Sequence, residues 1–574
     1  MSFLLRGKAR QSSTGEKLKR VKSLLEKSRF TIKRLPPEVP GTPIREPYSI
    51  HGYPLVKVVV SEKDGNGYYT VVEPEVSEEQ EKIYKLLMEK LYYGLRPAQQ
   101  AATDPLRYVE ENLLSLADDI GFGEEVRANF DVIMYYVKKE VGYGICEIPF
   151  RDPLIEEIEC HGYGIPLTVV LSRSDFARLT TNIVFADEDE VARFAERLSE
   201  RSGRAPNRAN PIVEGVLPEG HRVAVTYSDE VSRPGTTWDV RKFPEKPFTA
   251  PELVKLSMLS PSVAAYLWLL MEAKRFVLVV GATGSGKTTL LNALLTLLHP
   301  HSKIVTVEDT AELRLYHKNW ERFFTRKASY IGTKEIGMND LITVALRYRP
   351  DYIIVGEVRG QEMAALIQAV ATGHGGATTF HGGDTNDVFT RVTGLAPSLA
   401  EEFKSELAAT VIVRRIQNPA TGRFERKVVE VDEVNYEAGK VSVVPVFSWS
   451  FEQERYLLLD RREKLSPEEE AEALVSSSKQ LQISSQLLGL TLPQLRTAYI
   501  ERARLIEDAL RNGITDYAPF SQRIIEYYLA GRRNGSGHRP EQAVESPAAP
   551  MLSGEQEEEL GEAEEAAAAE VNQK

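Results

Sequence analysis

Phe276-Val-Leu-Val-Val280 runs directly into Gly281-Ala282-Thr283-Gly284-Ser285-Gly286-Lys287-Thr288-Thr289, and an apolar stretch to Leu298 follows. The apolar, β-branched run reads as a buried strand, the glycines as a tight loop, and Lys287–Leu298 as a helix. The loop fits GxxxxGK[ST] in the strand, loop and helix setting that gives the pattern its meaning. Its glycines let backbone N–H groups curl around phosphate oxygens, and the helix N-terminus adds partial positive charge. Lys287 is placed to reach the β- and γ-phosphates, and Thr288 to offer a hydroxyl to Mg²⁺. Residues 281–289 are therefore the expected nucleotide loop, with Mg²⁺ as the metal. A P-loop alone does not separate kinases, GTPases, transporters and motors.

Three further stretches narrow the choice. Lys303–Val307 reads as a strand ending in Glu308-Asp309-Thr310-Ala311-Glu312, which puts acids at the carboxyl edge of an open α/β sheet, where such sheets bind ligands. One such acid could simply cap a turn, but three within five residues point to orienting water or holding Mg²⁺. Glu308 and Asp309 are expected near the metal. Tyr352-Ile-Ile-Val-Gly-Glu357 is an apolar strand ending in an acid, the Walker B arrangement, with Glu357 holding Mg²⁺ through water. Thr372-Gly-His374-Gly-Gly-Ala-Thr-Thr-Phe-His381 sets two histidines at the entry and exit of a short strand, where either could meet phosphate or a carboxylate. Alone, a histidine of this kind is more often structural.

Taken in order, these four boxes resemble the Walker A, Asp box, Walker B and His box of the motor ATPases of type II and type IV secretion, pilus and archaellum assembly. Upstream, Cys160-His-Gly-Tyr-Gly-Ile-Pro166, Thr181-Asn-Ile-Val-Phe185, Leu217-Pro-Glu-Gly-His-Arg222-Val223 and Asp239-Val-Arg241-Lys-Phe243 resemble the N-domain signatures of the archaeal branch. The resemblance spans Tyr48 to Leu529. It implies an α/β fold, a RecA-like P-loop NTPase domain preceded by an α+β N-terminal domain, with a C-terminal helical appendage. It also implies that Glu312 is the general base, that Glu357 supports Mg²⁺, and that His374 and His381 sense the γ-phosphate or couple hydrolysis to movement. A homo-hexamer is implied as well, with Arg222 and Arg241 reaching a neighbour's nucleotide to neutralise charge on the γ-phosphoryl group. The implied partners are a polytopic membrane platform protein and, through it, pilin-like subunits. Gly360 stands where many bacterial relatives carry Asp, and the Cys₄ zinc module of some bacterial members is missing, so no metal beyond Mg²⁺ is carried over.

Working outward, residues 249–450 alternate apolar strands and helices and read as the ATPase domain, a mainly parallel sheet with helices on its faces. Residues 144–248 carry short strands, Leu167–Leu171 and Arg222–Thr226 among them, and one helix at Glu188–Glu200, an α+β domain whose chemistry lies outside it. Residues 46–143 read as a strand hairpin, Val56–Val60 and Tyr68–Val72, with helical periodicity over Glu78–Tyr93 and Thr103–Glu140. Residues 451–533 read as helices packed on the nucleotide domain. Residues 1–45 are expected to be a basic, flexible arm and Pro-rich linker, since eleven Lys/Arg face only Glu16 and Glu26 before Leu35, and Pro36, Pro37, Pro40 and Pro43 follow. Either solvation or contact with anionic lipid or an acidic partner loop suits that arm. Residues 534–574, ending in a Glu/Ala tract, are expected to stay unfolded.

The chain has 574 residues, oppositely charged ends and a formal net charge of −12, and this sign argues against nonspecific nucleic-acid binding as the main business. Cys146 and Cys160 are too few for a disulfide framework and lack CxxC spacing, which fits a reducing, cytoplasmic compartment. No apolar run reaches the roughly 18 to 20 residues of a membrane span, and Met1 to Leu5 is too short for a signal-peptide core, so any membrane association is expected to be peripheral. The alternatives are a conjugation-type DNA-transfer ATPase on the same ring, or a regulatory module that binds nucleotide without turnover. An ABC transporter is disfavoured because no LSGGQ precedes the Walker B strand.

Overall fold

Strands whose residues are apolar at every position need cover on both faces, and the strands around the P-loop are of this kind. In the computed structural model, which describes residues 28–94, 105–172, 174–243, 246–326, 334–358, 360, 362–395, 397–418 and 424–533, they form the middle of one sheet. Its order is Trp320–Phe324, Ile304–Glu308, Tyr352–Val358, Gly375–Phe380, Phe276–Gly281, Leu407–Gln417, Phe424–Glu437, Lys440–Ser450 and Arg455–Leu458. Every pairing as far as Leu407–Gln417 is parallel, and the last three strands add antiparallel hairpins. Alternate residues feed two cores: Val277, Val279, Ile304 and Ile354 face one way, and Leu278, Val280, Val305 and Ile353 the other. The first core also takes in the helices Pro467–Ser477, Lys479–Leu487, Leu492–Arg511 and Tyr517–Arg533. Arg502 in the third of these is fully buried and ion-pairs with Glu272 of the helix Pro261–Glu272, while Trp268 Nε1 donates to Tyr528 Oη at 2.8 Å.

The expected parallel sheet is thus present but incomplete as a description, because the carboxyl-terminal third of this domain extends it with long hairpin strands. The turn between the two longest runs through Ala438 and Gly439, both with positive φ. The C-terminal region, expected to be helical, also contributes the strand Arg455–Leu458.

A second, ten-stranded sheet lies upstream. It is antiparallel except where Asn66–Val72 pairs in parallel with Leu179–Val184, Gly67 facing Leu179. That one pairing joins the hairpin of residues 46–143 to the strands of residues 144–248 in a single sheet over a single core. Along Pro166–Leu171, Arg222–Thr226 and Thr237–Arg241 buried and accessible positions alternate, so these strands have one covered face. The helix Glu188–Arg201, capped by Asp187 accepting from the Glu190 N–H, buries Val191, Phe194, Ala195 and Leu198 on that face.

Two local expectations change. The helical periodicity over Thr103–Glu140 resolves into Pro105–Asp119, Gly123–Ala128 and Phe130–Val141, broken beside Gly121, whose φ of +79° no continuing helix tolerates. The described part of the arm and linker is docked: Leu35 N–H donates to Glu73, Arg29 lies over the Tyr92 ring, and Thr42–Pro43 pairs at the sheet margin with Ser61 and Glu62. A proline at an edge forgoes no ladder bond, which is why the prolines do not exclude this strand. Residues 1–27 and 534–574, and the expectations placed on them, lie outside the described residues. Among the described residues no helix is long and apolar enough to cross a membrane.

Candidate nucleotide site

The P-loop strand ends at Gly281, where any Cβ would lie 2.3 Å from the Val413 carbonyl oxygen of the neighbouring strand, so glycine alone permits this approach. The loop then turns through Gly284 and reaches Gly286 with φ of +96°, the left-handed residue that caps the helix Lys287–Leu295. Ala282, Thr283 and Gly284 are exposed, Thr288 and Thr289 half-buried, and Lys287 is buried with Nζ donating to Ala282 O at 3.0 Å. The Ser285 hydroxyl is buried and has no hydrogen-bond partner among the described residues. A ring of backbone facing a helix N-terminus, an ammonium at its rim and an orphaned hydroxyl fit a bound polyphosphate.

Parallel pairing brings Glu308, Glu357 and His381 to the same sheet edge as Gly281. Glu308 is 2% exposed, and its Oε1 accepts the N–H groups of Glu312 at 2.9 Å and Leu313 at 2.8 Å. Burial pushes its carboxyl up to about 7, even though both N–H bonds favour the anion. Its Cγ lies 3.2 Å from where a Gly356 Cβ would stand, so the Walker B glycine leaves room for it. Register shifts between Val355 and Glu357, and Thr379 Oγ1 donates to Gly356 O at 2.8 Å; such a bulge re-aims the half-buried Glu357 side chain. Glu312 is half-buried and tethered twice, through its own N–H to Glu308 and through Arg314 N–H to Asn292 Oδ1 of the P-loop helix at 2.8 Å. Sequence reading missed Asn292, whose role emerges only when the helix and the Asp-box loop are seen side by side.

Two expectations give way. Asp309 turns toward the outer strand, its Oδ1 accepting from Thr325 Oγ1 at 2.9 Å, and Glu308 spends one oxygen on backbone N–H groups. Among the described residues no three His, Cys, Asp or Glu side chains are grouped to hold a metal. That does not count against Mg²⁺, which keeps most of its waters and takes few protein ligands. His374 sits at the opposite end of its strand from the P-loop, about 20 Å away for a run of this length. Its Nδ1 lies 3.0 Å from Ala369 O and 3.1 Å from Thr372 Oγ1, finishing the helix Glu362–Ala371 rather than facing phosphate. His381 is exposed at the P-loop edge, its carbonyl accepting from Arg391.

Arg222 and Arg241 are direct cross-strand partners, and Arg241 also faces Glu157. Among the described residues neither guanidinium has a recorded hydrogen bond or ion pair. Like charges directly opposite one another are unfavourable unless an anion relieves them. Beside them His221 is buried, accepts Phe243 N–H at 3.3 Å, and is pushed down to about 4 by burial and then by Lys242.

A P-loop at the carboxyl edge of a parallel sheet defines a P-loop NTPase fold. The family model described as Type II/IV secretion system protein matches residues 175–487, and the chain belongs to that family. It is 31% identical over 521 residues to an uncharacterized protein of Methanocaldococcus jannaschii, covering 85% of this chain and 89% of that one. It is 35% identical over 277 residues to a putative conjugal transfer protein of Mycobacterium tuberculosis, covering 46% of this chain and 78% of the relative. The X-ray structure of the Legionella pneumophila ATPase DotB aligns with 66% of this chain and 92% of its own, at 16% identity and a TM-score of 0.35.

Proposed function

We propose that the chain is a Mg²⁺-dependent ATPase that works as a homo-hexameric motor on the inner face of the cell membrane. Through a polytopic platform protein it would drive a secretion, pilus-like or archaellum machine. The observation that carries this reading is the placement of Glu312, held by Glu308 and Asn292 at the sheet edge that bears the P-loop. The P-loop N–H groups and Lys287 hold the phosphates, and Thr288 and Glu357 hold the metal. When bound, Mg²⁺ supplies charge neutralisation at the β- and γ-phosphates. The Glu312 carboxylate takes a proton from the attacking water, and the buried Glu308 fixes the loop that presents it. Arg222 and Arg241 reach the nucleotide of an adjoining chain, and His381 at the sheet edge reports the γ-phosphate. Family membership supports the secretion setting. The test is Mg²⁺-ATP turnover by the full chain, with Lys287→Ala as the comparison; turnover undiminished in Lys287→Ala would remove the enzyme reading.

The likeness to a conjugal transfer protein favours a second cargo, DNA. Tight, salt-dependent DNA binding by a chain lacking residues 1–34 would bring it forward.

A further inference from the structure

Arg426 lies in the strand Phe424–Glu437, two strands from the P-loop and 140 residues beyond it in sequence. Its side chain nevertheless stands on the loop. Nε donates to Gly284 O at 3.0 Å, and its Cδ lies 3.3 Å from where a Cβ on Gly286 would be. The other end of the same guanidinium leaves the nucleotide domain: Nη1 and Nη2 donate to Glu156 Oε1 and Oε2, each at 2.8 Å. Glu156 belongs to the strand Ile155–Cys160 of the N-terminal sheet. Its backbone carbonyl accepts the N–H of Lys242 at 2.7 Å, the residue directly after Arg241, and Arg241 pairs with Arg222.

We propose that Arg426 and Glu156 form a coupling element that passes the conformation of the P-loop to the strands carrying Arg241 and Arg222. The geometry supplies the means. A guanidinium is planar, with its Nε and both Nη atoms in one rigid fork, so a shift of the Gly284 carbonyl when the loop closes on phosphate tilts the whole fork against the Glu156 carboxylate. Both partners are about one-third exposed, 33% and 34%, and the two-pronged geometry makes the pair sensitive to the orientation of the fork. Arg426 is a positioning residue in this scheme. It sets the loop through one carbonyl and needs no contact with substrate. That the arginines serve a neighbouring nucleotide rests on the function proposed above; the link from P-loop to strand does not.

The experiment uses the full chain. Hydrogen exchange over Ile155–Cys160 and Thr237–Arg241 is compared with and without a non-hydrolysable ATP analogue and Mg²⁺, alongside the dissociation constant of that analogue. Wild type is expected to change its exchange at both strands on binding. Glu156→Gln is expected to bind within about threefold of wild type while losing most of that change. Arg426→Lys, which keeps the charge but not the fork, is expected to lose the change likewise, so the result does not hang on one variant. An undiminished change in Glu156→Gln, or binding by wild type with no change at either strand, overturns the coupling and leaves the nucleotide site standing. Absence of binding by wild type overturns the nucleotide site and the coupling with it.

Discussion

The nucleotide sheet and the N-terminal sheet solve opposite problems. In the first, parallel strands buried on both faces leave only their carboxyl ends accessible, and the functional groups there are held by groups of the same chain: Glu308 by two backbone N–H groups, Glu312 through Glu308 and Asn292. In the second, antiparallel strands keep one open face, and Arg222 and Arg241 lie on it opposite one another with no recorded ion pair among the described residues. On the proposed function the first sheet binds and cuts the nucleotide, and the second carries Arg222 and Arg241 to a neighbour's site.

The largest effect that could break this contrast is on catalysis. Glu312→Gln should lower kcat by roughly 10³-fold, within the range for loss of a general base, with nucleotide affinity nearly unchanged. A similar rise in KM with kcat unchanged would make Glu312 a binding residue. Next, Arg502→Ala should lower the stability of the nucleotide half by about 3 kcal/mol in denaturant titration, because it takes the buried guanidinium away from the buried Glu272 carboxylate. Replacing both partners with apolar residues should cost much less, and equal costs would contradict the buried-pair reading. Gly286→Ala should weaken nucleotide binding, since an L-residue at φ of +96° costs about 1–2 kcal/mol before the clash with Arg426 is counted.

The smallest effect concerns the N-terminal sheet. The His221 imidazole is depressed to about 4 from 6.5, so its neutral form is the native one. Its contribution to stability is present above about 6.5 and lost as pH falls toward 4, because only the unfolded chain accepts the proton easily. Thermal melts should show His221→Gln losing less stability than wild type between pH 7 and 4.5, by on the order of 1 kcal/mol. Parallel slopes for the two proteins would mean His221 is not the group responsible.

The parallel core was legible because its signal is local: an apolar strand, a glycine loop and a helix lie next to one another, and three more boxes repeat the strand-then-acid pattern. What escaped was non-local. Nothing near Gly67 announces that it will pair with Leu179, so the shared N-terminal sheet could not be read from either segment. The histidines at 374 and 381 look alike in sequence, yet strand direction puts one at the phosphate edge and the other at the far end. Glu308 reads as a metal ligand from its place at a strand end, and its bonds to the backbone of residues 312 and 313 cannot be read there. Arg426 carries no motif at all; its meaning lies in touching Gly284 and Glu156 at once.

The claim that one sheet supplies the site and a neighbour's other sheet completes it is tested most directly by mixing two inactive variants. Glu312→Gln lacks the base but keeps the arginines, and Arg222→Ala lacks an arginine but keeps the base. Each alone should turn over Mg²⁺-ATP slowly, and wild-type specific activity should rise with protein concentration as rings form. An equimolar mixture should recover a clear fraction of wild-type activity, because some interfaces then pair an intact base with an intact arginine. A mixture no more active than its parents, together with wild-type activity independent of concentration, would contradict the shared site.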